Sequence, residues 1–356
     1  MKVLLVGGAG FVGAVLAEEL LIRGYAVRIF DRFYFGNSGL KEVKGKIEVI
    51  KGDMRVIPEK ALDRIDVVVN LGGLSNDPTA EYNPQANIEM NTKATVELAK
   101  ACKKKGINRY IFASSCSIYD IGVKEKLKDV VFDEESKVSP KAAYSSSKYE
   151  AEKKLLSMVD KDFCPVILRK GTIYGFSPRM RYDLVVNTFV KDVLLKGFMT
   201  IHYGGEMWRP LVDVRDAARA YIACIEADEK KVKGEIFNVV CDNFRISEVA
   251  LRVKSTFEEL GIKPDIKAEY KYWGVRNYRV SSEKMEKVLG IKPKITIEES
   301  VKNMVEKIKE FGYCDFSNPK YYNINWVKLL EEADEIIKVT GYLFDSPKGE
   351  SKKLDT

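Results

Sequence analysis

Tyr144 and Lys148 stand four residues apart in the stretch YSSSK, on one face of any helix that holds them. An ammonium beside a phenol favours the phenolate and lowers a tyrosine pKa from about 10 toward neutrality. Such a tyrosine can take the proton of an alcohol while hydride leaves the same carbon. Tyr149 and Lys153 repeat the spacing five residues on, roughly 140° around the helix, so both pairs cannot face one site. Tyr144 follows the Pro140 loop and opens the helix, which makes it the candidate. Tyr149 is expected to pack or to lie on the surface.

A hydride needs an acceptor, and the N-terminus offers a place for one. Gly7, Gly10 and Gly13 form G-x-x-G-x-x-G between an apolar run and a helical pattern. Gly7 permits the tight turn, Gly10 admits a pyrophosphate, and Gly13 lets the helix pack close to the sheet. The helix start at Phe11 and Val12 then presents free N–H groups to phosphate. Asp31, 18 positions past Gly13, can accept from both hydroxyls of an adenosine ribose and would repel a 2′-phosphate. That favours NAD over NADP, although the adjacent Arg32 could accommodate the extra phosphate.

These groups need a frame. Strands are expected at Lys2–Val6, Ala26–Asp31, Ile47–Lys51, Asp66–Leu71, Tyr110–Ser114 and Val166–Arg169. Helices are expected from about Phe11 to Arg23, over Pro84–Lys105 as one long element, and over Tyr144–Met158. Such alternation means an α/β chain with a Rossmann-type, doubly wound parallel sheet. Residues 1–170 plus about 212–242 are assigned to the NAD-binding domain. About 171–211 and 243–312 make a smaller, discontinuous α/β substrate-binding lobe, and 313–356 a C-terminal extension. Within it Asn323–Lys338 reads as an added helix, and the last residues, from Lys348, as frayed.

The composition agrees. Of 356 residues 46% are apolar and 31% charged, enough for a large core and too apolar for a disordered chain. A net charge of +7, with both signs interleaved, suits a small anionic ligand better than nucleic acid. No apolar run is long enough to cross a bilayer, and the cytoplasm is the expected compartment. Six cysteines without a C-x-x-C pair, and the single histidine His202, argue against a metal site or a disulfide scaffold.

In the order and spacing of its motifs the chain resembles the extended short-chain dehydrogenase/reductase family, in its nucleotide-sugar epimerase/dehydratase branch. The resemblance spans about residues 1–310. It rests on GGAGFVG, on Gly52-Asp53-Met54, on Asn91 in NTKATVELA and on SSCSIY (114–119). It continues with YSSSK, LRKGTIYG (168–175), WRPLVDVRD (208–216) and RNYRVSSEK (276–284). The resemblance implies that Asp53 and Met54 approach the adenine, that Leu71, Gly72 and Gly73 line the cofactor, and that Asn91 belongs to the same set. It also implies that Ile173 abuts the nicotinamide, Lys148 holds its ribose, and Ser115 orients the substrate hydroxyl.

On the substrate side the resemblance implies a nucleotide diphosphate gripped by Arg209 and Arg276, with Asn187 donating to it. Ser75 and Asn76 lie where they could reach the sugar, though Asn76 and Asp77 could equally cap a turn. Cys116 and Ser117 follow Ser115 where dehydratases carry acidic residues. Cys116 is read as a strand filler, which weakens dehydratase and decarboxylase chemistry and favours oxidation, rotation and re-reduction. The expected function is NAD-dependent epimerisation of a nucleotide-diphosphate sugar by a homodimer. The alternatives are a net dehydrogenase/reductase or dehydratase of the same family, or a non-catalytic nucleotide-sensing member.

Overall fold

A computed structural model describes residues 1–120, 130–270 and 276–341. The sequence-based expectation for the tail beyond 341 lies outside them. The main body is a seven-stranded, all-parallel sheet. Its first strands are β1 (Lys2–Val6), β2 (Ala26–Asp31), β3 (Glu48–Lys51) and β4 (Val67–Asn70), followed by β5 (Arg109–Ser115) and β6 (Cys164–Lys170). The last is Ile236–Val239, and in space the sheet runs from it through β6, β5, β4, β1 and β2 to β3. The order reverses between β1 and β4, and a crevice opens beyond the carboxyl ends of the strands at such a switch point. β4 is buried along its whole length, as expected of a strand covered on both faces.

The helix α1 (Phe11–Ile22) packs with Val214–Glu226 on one face of the sheet. On the other, Thr95–Lys104 lies beside α2 (Ala143–Leu156). The expected long helix over Pro84–Lys105 is present, with a π bulge inside it. It opens as an α-helical turn at Pro84–Asn87, widens to a π segment over Ile88–Ala94 and continues as a regular helix over Thr95–Lys104. Buried amides fix the wide turn. Asn91 donates to the Asn87 side-chain oxygen (2.7 Å) and to the Leu74 carbonyl (3.0 Å), and Thr92 to the Ser147 carbonyl (2.8 Å). A π bulge of this kind re-aims side chains within an otherwise continuous helix.

Short strands Thr172–Tyr174, Trp208–Asp213 and Asp242–Arg245 form a separate small sheet, and Phe198–His202 pairs with Asp265–Glu269. The last described element is the helix α3 (Asn323–Thr340), which follows a cluster of aromatic rings around Tyr182 that includes Phe316, Tyr321 and Tyr322. No helix among the described residues is long and apolar enough to cross a membrane.

Candidate active site

A cavity of about 550 Å³ opens at the switch point, within the range of small-ligand clefts. The turn between β1 and α1 forms its floor. Gly7 has φ +74°, and a Cβ there would come within 2.8 Å of the Gly72 backbone. Gly10 is the N-cap of α1 and offers no side-chain acceptor, so the first N–H groups of the helix remain available to an anion. Phe11, Val12 and Gly13 line the cavity beside it. This bare cradle fits a dinucleotide pyrophosphate.

The adenosine end lies at the tip of β2. Asp31 accepts from the backbone N–H of Ala9 (3.0 Å) and Phe33 (2.7 Å), and burial pushes its carboxyl above the ordinary value. Arg32, the residue that left NADP open, pairs instead with Asp53 at 2.6 Å and lies over the Tyr34 ring. Asp53 is also held by Arg55, which lowers its pKa to about 2. Met54, Leu71, Gly72 and Gly73 continue the wall, and Ile173 reaches it from the other side.

The other end of the cavity gathers Ser115, Tyr144, Lys148 and Ile173, the residues expected to be catalytic or to abut the nicotinamide, around the carboxyl ends of β5 and β6. The Lys148 ammonium lies 5.9 Å from the centre of the Tyr144 ring and 4.8 Å from that of Phe112. Several groups besides the lysine act on the phenol. Burial pushes Tyr144 up to about 12, opposed by the Arg276 charge and a hydrogen bond from Ser115. Burial likewise pulls Lys148 down to about 8. Tyr149 is not on the cavity wall and packs instead against a small cluster that includes Tyr119 and Tyr278, as the helical spacing requires.

Two expected ligand residues are not on the cavity wall. Asn187 is fully buried. Its side chain accepts from the Gly175 N–H (2.9 Å) and donates to the carbonyls of Gly175 (3.0 Å) and Arg181 (2.9 Å). It therefore shapes the 175–181 loop, with no donor left for a phosphate. Asn91 stands behind Gly73, where a Cβ would meet its amide oxygen at 2.0 Å. The other substrate candidates do line the cavity: Ser75, Asn76, Arg209 and Arg276. Asn76 both caps Asp77–Tyr82, accepting from Thr79, and reaches Asp183 at 3.3 Å. Arg276 pairs with Asp77, and Arg209 donates to the Trp208 carbonyl at 2.9 Å.

Sequence reasoning missed Lys170 here. Lys170 ends β6, lines the cavity, and donates to the Ser114 carbonyl (2.8 Å) and the Tyr221 hydroxyl (3.0 Å). Burial together with the Lys148 charge drives its pKa well down. Its place at the carboxyl end of a parallel strand was the available signal. Cys116 is buried with its thiol against the Arg169 carbonyl, and burial raises its pKa. His202 is exposed beside Glu269, and no cluster suited to a metal occurs among the described residues.

The chain is similar to several known proteins. The UDP-N-acetyl-alpha-D-glucosaminuronate decarboxylase of Bacillus cytotoxicus is 31% identical over 264 residues, 70% of this chain and 78% of that protein. UDP-glucuronic acid decarboxylase 1 of Arabidopsis thaliana is 26% identical over 64% of this chain, which spans only 52% of that relative's length. The solved UDP-glucuronic acid 4-epimerase from Bacillus cereus, in complex with UDP-glucuronic acid and NAD, superposes with a TM-score of 0.75. It is 24% identical, over 87% of this chain and 99% of its own. The model of the NAD dependent epimerase/dehydratase family matches residues 3–240. With its glycine cradle, Asp31 and the Tyr144–Lys148 pair in one crevice, the chain belongs to that family of NAD-dependent, nucleotide-sugar-modifying enzymes.

Proposed function

We propose that the protein is a nucleotide-sugar epimerase that oxidises one sugar carbon and reduces it again on the opposite face. NAD supplies the chemistry of accepting a hydride from that carbon and returning it. Tyr144 takes the hydroxyl proton as the carbonyl forms and gives it back when the carbinol is restored. Ser115 hydrogen-bonds the same oxygen, and Lys148 supports the phenolate and the cofactor ribose. Arg209 and Arg276 hold the diphosphate while the sugar turns over.

The observation that carries this reading is the state of the carboxylates on the wall. Asp31 is taken by backbone N–H groups, Asp53 by Arg32 and Arg55, Asp77 by Arg276, and Asp183 by Arg181. Asp31, Asp53 and Asp183 are thus committed, while Asp77 keeps one oxygen on Arg276 and its other buried without a partner, so the wall offers at most one carboxylate where elimination of water requires both an acid and a base. A second reading, oxidative decarboxylation of a uronate, is favoured by the 31% identical relative.

One experiment separates them. Purified protein is incubated with UDP-glucose, UDP-N-acetylglucosamine and UDP-glucuronic acid, and products are followed by proton NMR and mass spectrometry. An epimer of unchanged mass, formed without steady growth of the reduced-nicotinamide band, supports epimerisation. Loss of carbon dioxide from the uronate selects the decarboxylase, and steady accumulation of reduced cofactor selects a net dehydrogenase. We also propose a homodimer formed through 84–105 and 144–158. Light scattering at micromolar concentration should give twice the chain mass, and a monomer would refute it.

A further inference from the structure

The last described helix touches the cavity although it lies about 80 residues beyond the family match, which ends at 240. Asn323 and Ile324, at the start of α3, are part of the cavity wall. Asn323 is 4% exposed and every polar group on it is used. Its side-chain oxygen accepts from the Arg179 guanidinium (2.6 Å), its amide donates to Ser75 (2.8 Å), and its backbone N–H donates to Asp183 (3.1 Å). Two loops distant in sequence, one carrying Ser75 and one carrying Arg179 and Asp183, are thus tied to one residue.

The rest of α3 repeats the pattern at larger radius. The Trp326 indole donates to the Tyr34 carbonyl (2.5 Å), and the Tyr82 hydroxyl to Glu331 (2.5 Å). Tyr34 belongs to the adenosine end of the cavity. Tyr82 closes the short helix that carries Asp77. One helix therefore clamps the adenosine wall to the sugar-side wall.

Arg179 shows what lies beneath. Its guanidinium stacks 3.7 Å from the centre of the Phe35 ring, and it lines the cavity. Its Nε is buried without a partner. Burial lowers its pKa to about 9, while Asp183 and Asp31 support its charge. A cation so enclosed, next to the bare N-terminus of α1, suits a pyrophosphate, and Asn323 fixes its orientation.

We propose that the C-terminal helix is a built-in cover of the dinucleotide site, with Asn323 and Ile324 as cofactor-site residues, so that NAD stays bound through successive turnovers. This rests on reading the cavity as an NAD site. For the dinucleotide to leave, the ties at Ser75, Asp183 and Tyr34 must part together. Permanent retention suits a reaction that returns its hydride and never needs to exchange cofactor.

The test is the release rate of NAD from the full-length protein. Protein loaded with NAD is desalted, mixed with excess unlabelled competitor, and sampled for retained nucleotide. The wild type should keep its NAD through desalting. Asn323→Ala and Trp326→Ala should release it at least tenfold faster. Trp326 is outside the cavity wall, so its variant reports the clamp even where Asn323→Ala folds poorly. Ile336→Ala, on the outer face of the same helix (61% exposed), should behave as wild type. Release from both test variants within twofold of wild type would overturn the proposal. So would a wild type that binds NAD at equilibrium but loses it on desalting. Failure to bind NAD at all would sink the functional reading as well, which separates the two failures.

Discussion

Glu152 and Arg169 form a buried ion pair of 2.6 Å that fastens the helix bearing Tyr144 to strand β6. Glu152 lies at the third step of the series Tyr144, Lys148, Glu152, each four residues apart, so the whole series shares one face. Its carboxylate also accepts from Ser114, one residue before Ser115, while Arg169 donates to the Tyr119 hydroxyl (2.7 Å). One pair thus sets the depth of the phenol, the amine and the serine against the strand ends.

Glu152→Gln should leave Arg169 buried without its counter-charge and cost about 3–5 kcal/mol. Urea titration of the variant would show a midpoint well below wild type. A Glu152→Leu/Arg169→Met double variant should recover most of that loss, because apolar replacements avoid the desolvation of both charges. Equal instability of single and double variants would mean that the pair is not what holds the helix.

Tyr144→Phe should reduce turnover by about 10²–10⁴-fold, the usual share of a positioned acid–base group. NAD binding, carried by the glycine turn and Asp31, should persist. Calorimetric titration with NAD beside the product assay checks both halves of this expectation.

Asp31→Asn should weaken NAD binding by about 1.5–3 kcal/mol, the range for hydrogen bonds to a charged group. It should also narrow the preference for NAD over NADP, since the repelling carboxylate is gone. Arg32 is already committed to Asp53, so it should not by itself create an NADP site. Fluorescence titration with both dinucleotides gives the ratio directly.

Much of this was legible along the chain. The turn from Gly7 to Gly13 and the Tyr144–Lys148 pair are local patterns. Their strand and helix fix where they point, so residue type and spacing carried the inference. Asn187 and Asn91 were harder. An amide can face a ligand or brace a loop, and which one occurs depends on partners such as Gly175 and Leu74 that are distant in sequence or defined only by the fold. The burial of Tyr144 and Lys148 likewise depends on tertiary packing, which spacing alone does not report. Asn323 gave no local sign, since its role exists only through Arg179, Ser75 and Asp183.

The buried amine of Lys148 has a consequence for the apoprotein. Its pKa falls from 10.5 to about 8 on folding, chiefly through burial. Between those values the unfolded chain binds the proton and the folded chain does not, so stability rises with pH. Below pH 8 both states are protonated and the folded state bears the full cost of the buried charge. Lys170, lowered in the same direction, adds to the trend. NAD-free protein should therefore melt at a higher temperature at pH 9 than at pH 7.5. Lys148→Met should be more stable than wild type at the lower pH and show a flatter profile. A wild type whose melting temperature falls over this interval, with Lys148→Met parallel to it, would mean that the amine keeps its ordinary affinity for the proton.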